Sequence, residues 1–202
     1  PITPGSEELT VLFTRSPYVF GVEIVVGDAV PPNETLAELN QTAAADLVVD
    51  PDGRVRRGLL SLRLFSGEVK TGLSTALALE YLAKENISPE ILDGAGLLLQ
   101  LGKSKIRRFE RNDGAYVDAD HFGFQVLMNY RSGYRQFESV SLMSVLNGDL
   151  TDAQVRDRVV LIGSTAISLN DLFYTPLEKH HQVAGVYVHA HLTSQLMNAA
   201  LD

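Results

Sequence analysis

With 202 residues the chain has the length of one domain and can bury about 70% of its unfolded surface without cross-links. It contains no cysteine, which excludes disulfides and thiolate metal sites. The 17 Lys and Arg against 25 Asp and Glu give a net charge of −8, which disfavours nucleic acid and anionic membrane surfaces as general partners. No apolar run approaches the ~18 residues that span a bilayer. Residues 1–5 lack the charged and apolar regions of a signal peptide, and a start at Pro1 reads as a processed or excised piece.

Residues 1–8 read as a loose terminus. Residues 18–26 (YVFGVEIVV) are rich in β-branched and aromatic types and predict a strand that Pro31-Pro32 ends. Asn33 is placed to cap a helix running to Ala45, and residues 47–49 form a short strand. Pro51-Asp52-Gly53 marks a turn. Beyond it residues 55–65 alternate, with Leu60, Leu62 and Leu64 on a dry face and Arg57, Ser61 and Arg63 on a mixed one. Residues 71–86 give the clearest helix, with Leu73, Leu77 and Tyr81 at four-residue spacing. An apolar strand at 97–101 precedes a polar one carrying Lys103, Lys105 and Arg107, and Asn112-Asp113-Gly114 reads as a hairpin turn.

Residues 124–131 alternate as a strand that gathers Asn129 and Arg131 at its carboxyl end. Residues 139–146 predict a helix stopped by Asn147-Gly148, and 151–157 a shorter one. Next comes Val159-Val160-Leu161-Ile162-Gly163-Ser164-Thr165-Ala166, four apolar residues ending in a glycine. The run reads as a central strand covered on both faces, as in a parallel sheet, with Ser164 and Thr165 capping the turn beyond it. Ligands of open α/β sheets sit outside the carboxyl ends of such strands. An irregular stretch at 175–185 leads to a last helix from Val186, with Ala190, Thr193, Met197 and Ala200 on one stripe.

Several motifs then come in the order of one family: DPDGRVRR (50–57), MNYRSG (128–133), SLMSVLNG (141–148), RVVLIGSTAISLNDLFYTPL (158–177) and GVYVHAHLTSQLMNAAL (185–201). They resemble the second type of CHASE domain, the cyclase- and histidine-kinase-associated sensory extracellular domains. The likeness covers residues 45–202. It is specific in the last third and weak over residues 1–44, which reads as a truncated N-terminal part of the same domain. The chain departs from the family pattern at Ser132, which intervenes between the NYR motif and its glycine, and at Ser144 and Tyr187, where the family favours an acidic residue.

The resemblance implies a single extracytoplasmic sensory domain over residues 1–202, on the periplasmic or extracellular face of a membrane protein. Flanking membrane helices would join it to a nucleotide cyclase, diguanylate cyclase, histidine kinase or Ser/Thr kinase, with no catalysis in this chain. The fold class expected is α/β, a mixed, largely parallel sheet flanked by helices. The signal is a small molecule or a protein, a homodimer is one arrangement, and no cofactor, metal or nucleic acid is called for. Two alternatives stand beside this reading: a dimerisation or partner-docking module without a small ligand, and a secreted hydrolase.

The candidate binding residues are Asn129, Arg131, Ser164, Thr165, Asp171 and His189. Gly163-Ser164-Thr165 offers free N–H groups to an anion, but lacks the glycines of a dinucleotide fingerprint and the Gly-Lys of a P-loop. Ser164, His189 and Asp171 supply the types of a hydrolytic triad, yet Ile162 and Ala166 stand where a nucleophile elbow has glycine. His180, His181, His189 and His191 are imidazole ligands by type, but the last two diverge on a helix. Arg131 and Asp171 would pair across a sheet edge if their strands were neighbours. The basic residues Arg54, Arg56 and Arg57 and those at 103–111 read as solvated strand faces.

Overall fold

In the computed structural model, which describes residues 5–131, 137–178 and 180–202, short strands surround two long helices. In chain order the elements are α1 (Ser6–Arg15), β1 (Gly21–Glu23), α2 (Glu34–Glu38), β2 (Thr42–Ala44), β3 (Val48–Val49), β4 (Val55–Arg63), β5 (Val69–Thr71) and α3 (Leu73–Ala83). There follow β6 (Pro89–Ile91), β7 (Leu98–Leu101), β8 (Ser104–Arg107), β9 (Phe124–Leu127), α4 (Leu142–Leu146), α5 (Asp152–Val155), β10 (Leu172–Phe173), β11 (Val183–Ala184) and α6 (Gly185–Leu201).

Strand β4 is the spine. Arg57 pairs with Val48 on one side and Leu127 on the other, and Ser61 pairs with Thr71 and Phe124. So β3 and β5 share one edge of β4 while β9 takes the opposite edge, all antiparallel. The tight connections dictate this. Gly53, at φ +80°, closes the β3–β4 turn, and Gly67, at φ +89°, closes the β4–β5 turn; parallel neighbours would need long crossovers. The expectation of a largely parallel sheet is therefore corrected: the fold is mixed α/β, but its sheets are mostly antiparallel. Among the named strands only β1 and β2 pair in parallel, and a parallel bridge from Ala44 to Gly72 joins them to the end of β5. Strands β6, β7 and β8 form a separate antiparallel meander, and β10 pairs antiparallel with β11.

The main core lies between β4, β9, α3 and α6. Leu60, Val126, Ala78, Leu82, Leu192, Leu196 and Ala200 are buried together, with Leu101 from the meander. Each large aliphatic side chain there contributes about 1.5–3 kcal/mol by leaving water. Gly58 makes the close helix–strand approach possible, because a Cβ on it would lie 2.6 Å from Leu192 Cδ2.

Other expectations are revised as well. The helix begun at Asn33, whose side chain accepts the Leu36 N–H, ends at Leu39; Asn40 turns left-handed at φ +57° and residues 42–44 become β2. Asn112-Asp113-Gly114 forms a turn with Gly114 at φ +60°, but irregular chain follows it instead of a hairpin strand. Ser132 lies outside the described residues.

The largest correction concerns residues 159–162. They join no strand, and Ile162 is 95% exposed, so this run is not the centre of the sheet. It is tethered at both ends. Arg158 pairs with Glu138 at 3.2 Å, and Gly163 packs on Val186, where a Cβ would sit 2.6 Å from the Val186 Cβ. So held, it makes no backbone bond to β1, whose strand partner among the described residues is β2. Among the described residues from 138 to 170 none is buried.

Candidate functional site

The stripe Leu73, Leu77, Tyr81 does not face the core. The core face of α3 is Ser74, Ala78 and Leu82, one residue round the helix. Both faces are apolar, and the predicted stripe instead forms one wall of a cavity of about 610 Å³. The opposite walls are the chain at 18–24, including Val22 of β1, and the extended segment 159–163. Val186 and His189, from the first turns of α6, close it together with Asp171. This volume suits a small organic ligand, and a mostly apolar lining with a few polar groups is the usual make-up of such a site.

Asp171 sits at a junction. Its main-chain oxygen accepts the Gly185 N–H at 3.0 Å, and its carboxylate lies so close to Gly185 that a Cβ there would be 2.5 Å from Oδ1. Glycine at 185 is thus what lets a carboxylate reach the start of α6, where the helix dipole favours negative charge. Burial still pushes the carboxyl above its ordinary range, against the Gly185 N–H that holds it down. Asp171, Ile24 and Ala45 also line a second cavity of about 630 Å³, on the side of Arg57 and Tyr116.

His189 ties α6 to α3. Its Nδ1 is 3.1 Å from Ser74 Oγ, and Thr193 Oγ1 donates to its main-chain oxygen at 2.9 Å. Burial draws its pKa down to about 4, opposed by the Ala45 carbonyl and the Asp46 charge. The ring is therefore neutral and engaged at neutral pH. His191 points elsewhere, packed edge-on against Tyr130 and Phe137 at 5.0 and 4.9 Å. Among the described residues no group of three or more His, Asp or Glu is placed to hold a metal.

A buried ion pair was not foreseen. Arg57, read as a solvated face, is 3% exposed. Its Nη2 is 2.7 Å from Asp50 Oδ1, its Nη1 donates to Gln125 Oε1 at 2.7 Å and to the Asp120 carbonyl, and its guanidinium stacks near Phe109 and Tyr116. Arg56 and the Tyr116 hydroxyl also donate to Asp50, at 2.9 and 2.8 Å. These donors hold the Asp50 carboxyl below its ordinary range despite burial. The signal in the sequence was Asp50 and Asp52 flanking a turn before Arg56-Arg57: acids and bases brought face to face by a hairpin. With every donor engaged, this network is structural. Breaking one partner of such a buried pair typically costs 3–5 kcal/mol.

The sequence candidates thus divide. Asp171 and His189 meet on one cavity wall beside Gly163. Ser164 and Thr165 lie beyond that wall; Ser164 Oγ accepts the Ala166 N–H at 3.1 Å, turning the chain ahead of a short 3-10 turn at Ile167–Leu169 that it does not cap. Asn129 and Arg131 are exposed on another side, where the Asn129 N–H donates to Gln195 Oε1 at 2.7 Å. No ion pair among the described residues joins Arg131 to Asp171. The triad geometry is not formed: Ser74, not Ser164, holds His189.

A family model described as "CHASE2 domain" matches residues 4–202, so the weakly matched first 44 residues fall within it apart from the opening three. No curated protein and no solved structure matches the chain.

Proposed function

The chain belongs to the CHASE2 domain family, extracellular sensory domains of signalling receptors, and on that premise we propose that its cavity is the signal-binding site of a membrane-anchored receptor. The output is a nucleotide or diguanylate cyclase, a histidine kinase or a Ser/Thr kinase, reached through membrane helices outside this chain. No helix among the described residues is itself long and apolar enough to cross a membrane. The observation that carries the reading is the double role of α6. Its first turns are cavity wall, while Leu192, Leu196 and Ala200 are core. A ligand that fits one position of those turns better than another shifts the helix, and only that difference in affinity can drive a response.

The test is Leu77→Trp, which fills the cavity from α3. The variant should keep its fold, lose any ligand-dependent rise in melting temperature, and abolish signalling in the full receptor. A receptor whose response survives this substitution is reading its signal elsewhere.

A second reading has one observation in its favour. Leu142, Met143 and Leu146 of α4 are 71, 63 and 70% exposed, a patch suited to docking another copy or a protein partner. Light scattering that shows a concentration-independent monomer would remove the self-docking form of it.

A further inference from the structure

Two acids and two bases reach the cavity, and among the described residues they are not paired with one another. Five ionisable groups apart from the two phenols reach it: Glu80 and Lys84 from α3, Arg158, Asp171 and His189. Neither cation pairs with a carboxylate of the cavity among the described residues. Lys84 Nζ lies 4.4 Å from the centre of the Tyr18 ring, and Arg158 pairs with Glu138 at 3.2 Å. His189 is held by Ser74. The two carboxylates, Asp171 and Glu80, have no ion-pair partner among the described residues. The apolar lining is Leu73 and Leu77 on one side and Val22, Val159 and Leu161 on the other.

Resting on the cavity as signal site, we propose that the ligand is an aliphatic amine, its apolar chain lying along α3 and its ammonium group on the Asp171 carboxylate. The chemistry runs in one direction. A carboxylate in a mostly apolar setting is costly without a partner, and a charge-assisted N–H···O bond there is stronger than in water. The helix start at Gly185 orients that carboxylate but brings no cation to it. Glu80 stands one turn from Lys84 on α3, so these two charges offset one another and Asp171 is the carboxylate left to receive a cation. Leu73, Leu77 and Tyr81 run about 12 Å along α3, an apolar wall that an alkyl chain can lie against. Neither an alkanoate nor an alkanol answers both features.

Calorimetric titration of the 202-residue chain with octylamine, octanol and octanoate decides the matter. Octylamine should bind saturably and at least tenfold more tightly than octanoate, with octanol between them. Asp171→Asn should weaken octylamine at least tenfold and leave octanol unchanged. Leu77→Trp should abolish binding of all three. Equal affinities for the three probes, or amine binding indifferent to Asp171→Asn, would overturn the amine while leaving the cavity as a site. Failure of all three to bind would overturn the amine, while the cavity reading is decided separately by Leu77→Trp in the full receptor. Should Asp171→Asn unfold because the carboxylate orients α6, the ranking of amine over octanoate on the unchanged chain decides alone.

Discussion

At the scale of single residues, burial matters more than charge. His189 is 8% exposed, and burial draws its pKa down to about 4 from about 6.5 for a free imidazole. The sign follows from linkage. A histidine whose folded pKa is depressed contributes stability that is fully present above its unfolded pKa and is lost as pH falls through the folded one. The window is therefore about pH 6.5 down to about 4, and two to three pKa units correspond to about 3 kcal/mol. Asp171, with a raised pKa, works the other way: its share is present below its unfolded value and lost as pH rises. We predict that urea melts of the chain show stability falling between pH 6.5 and 4, and that His189→Gln removes most of that slope at some cost in stability at neutral pH. A slope unchanged in the variant would assign it to other groups.

At the scale of elements, tolerance should follow packing and not hydrophobicity. Gly58→Ala is predicted to destabilise by about 1–3 kcal/mol, because the new methyl group meets Leu192 and α6 has to lift. Ile162→Asp, in the most apolar run of the sequence, should stay within about 0.5 kcal/mol, since the side chain is already in water. Chemical denaturation of the pair checks both. The contrast also shows what could be read beforehand. Turns and caps were legible because they are local: the Asn33 cap and the Pro51-Asp52-Gly53 turn stand where expected, whereas the Ser141 cap, which starts its helix three residues later than the sequence suggests, was not read. Helices α3 and α6 were legible from their periodicity. The role of residues 159–162 was not, because an apolar run specifies a strand only when a partner edge is within reach. Arg57 was missed for the same reason: its acid is a sequence neighbour, but its burial comes from Phe109, Tyr116 and Gln125, which lie some fifty residues or more along the chain. Of the candidate site, the sequence isolated Asp171 and His189; the remaining walls come from segments that no periodicity connects.

At the scale of the molecule, α6 is seated hard against β4 at Gly58, so it has little freedom to slide. We predict that anything displacing its first turn tilts it about Leu192 as a fulcrum. Val186 lies six residues before that point and Leu201 nine after it, arms of about 9 and 13 Å at 1.5 Å per residue. A movement at the cavity end thus emerges at the far end reversed in direction and about half as large again. Because the chain has no cysteine, spin labels introduced at Met197 and Lys105 would report this as a change in their separation when the cavity is filled. An unchanged separation would mean that the rod does not rock.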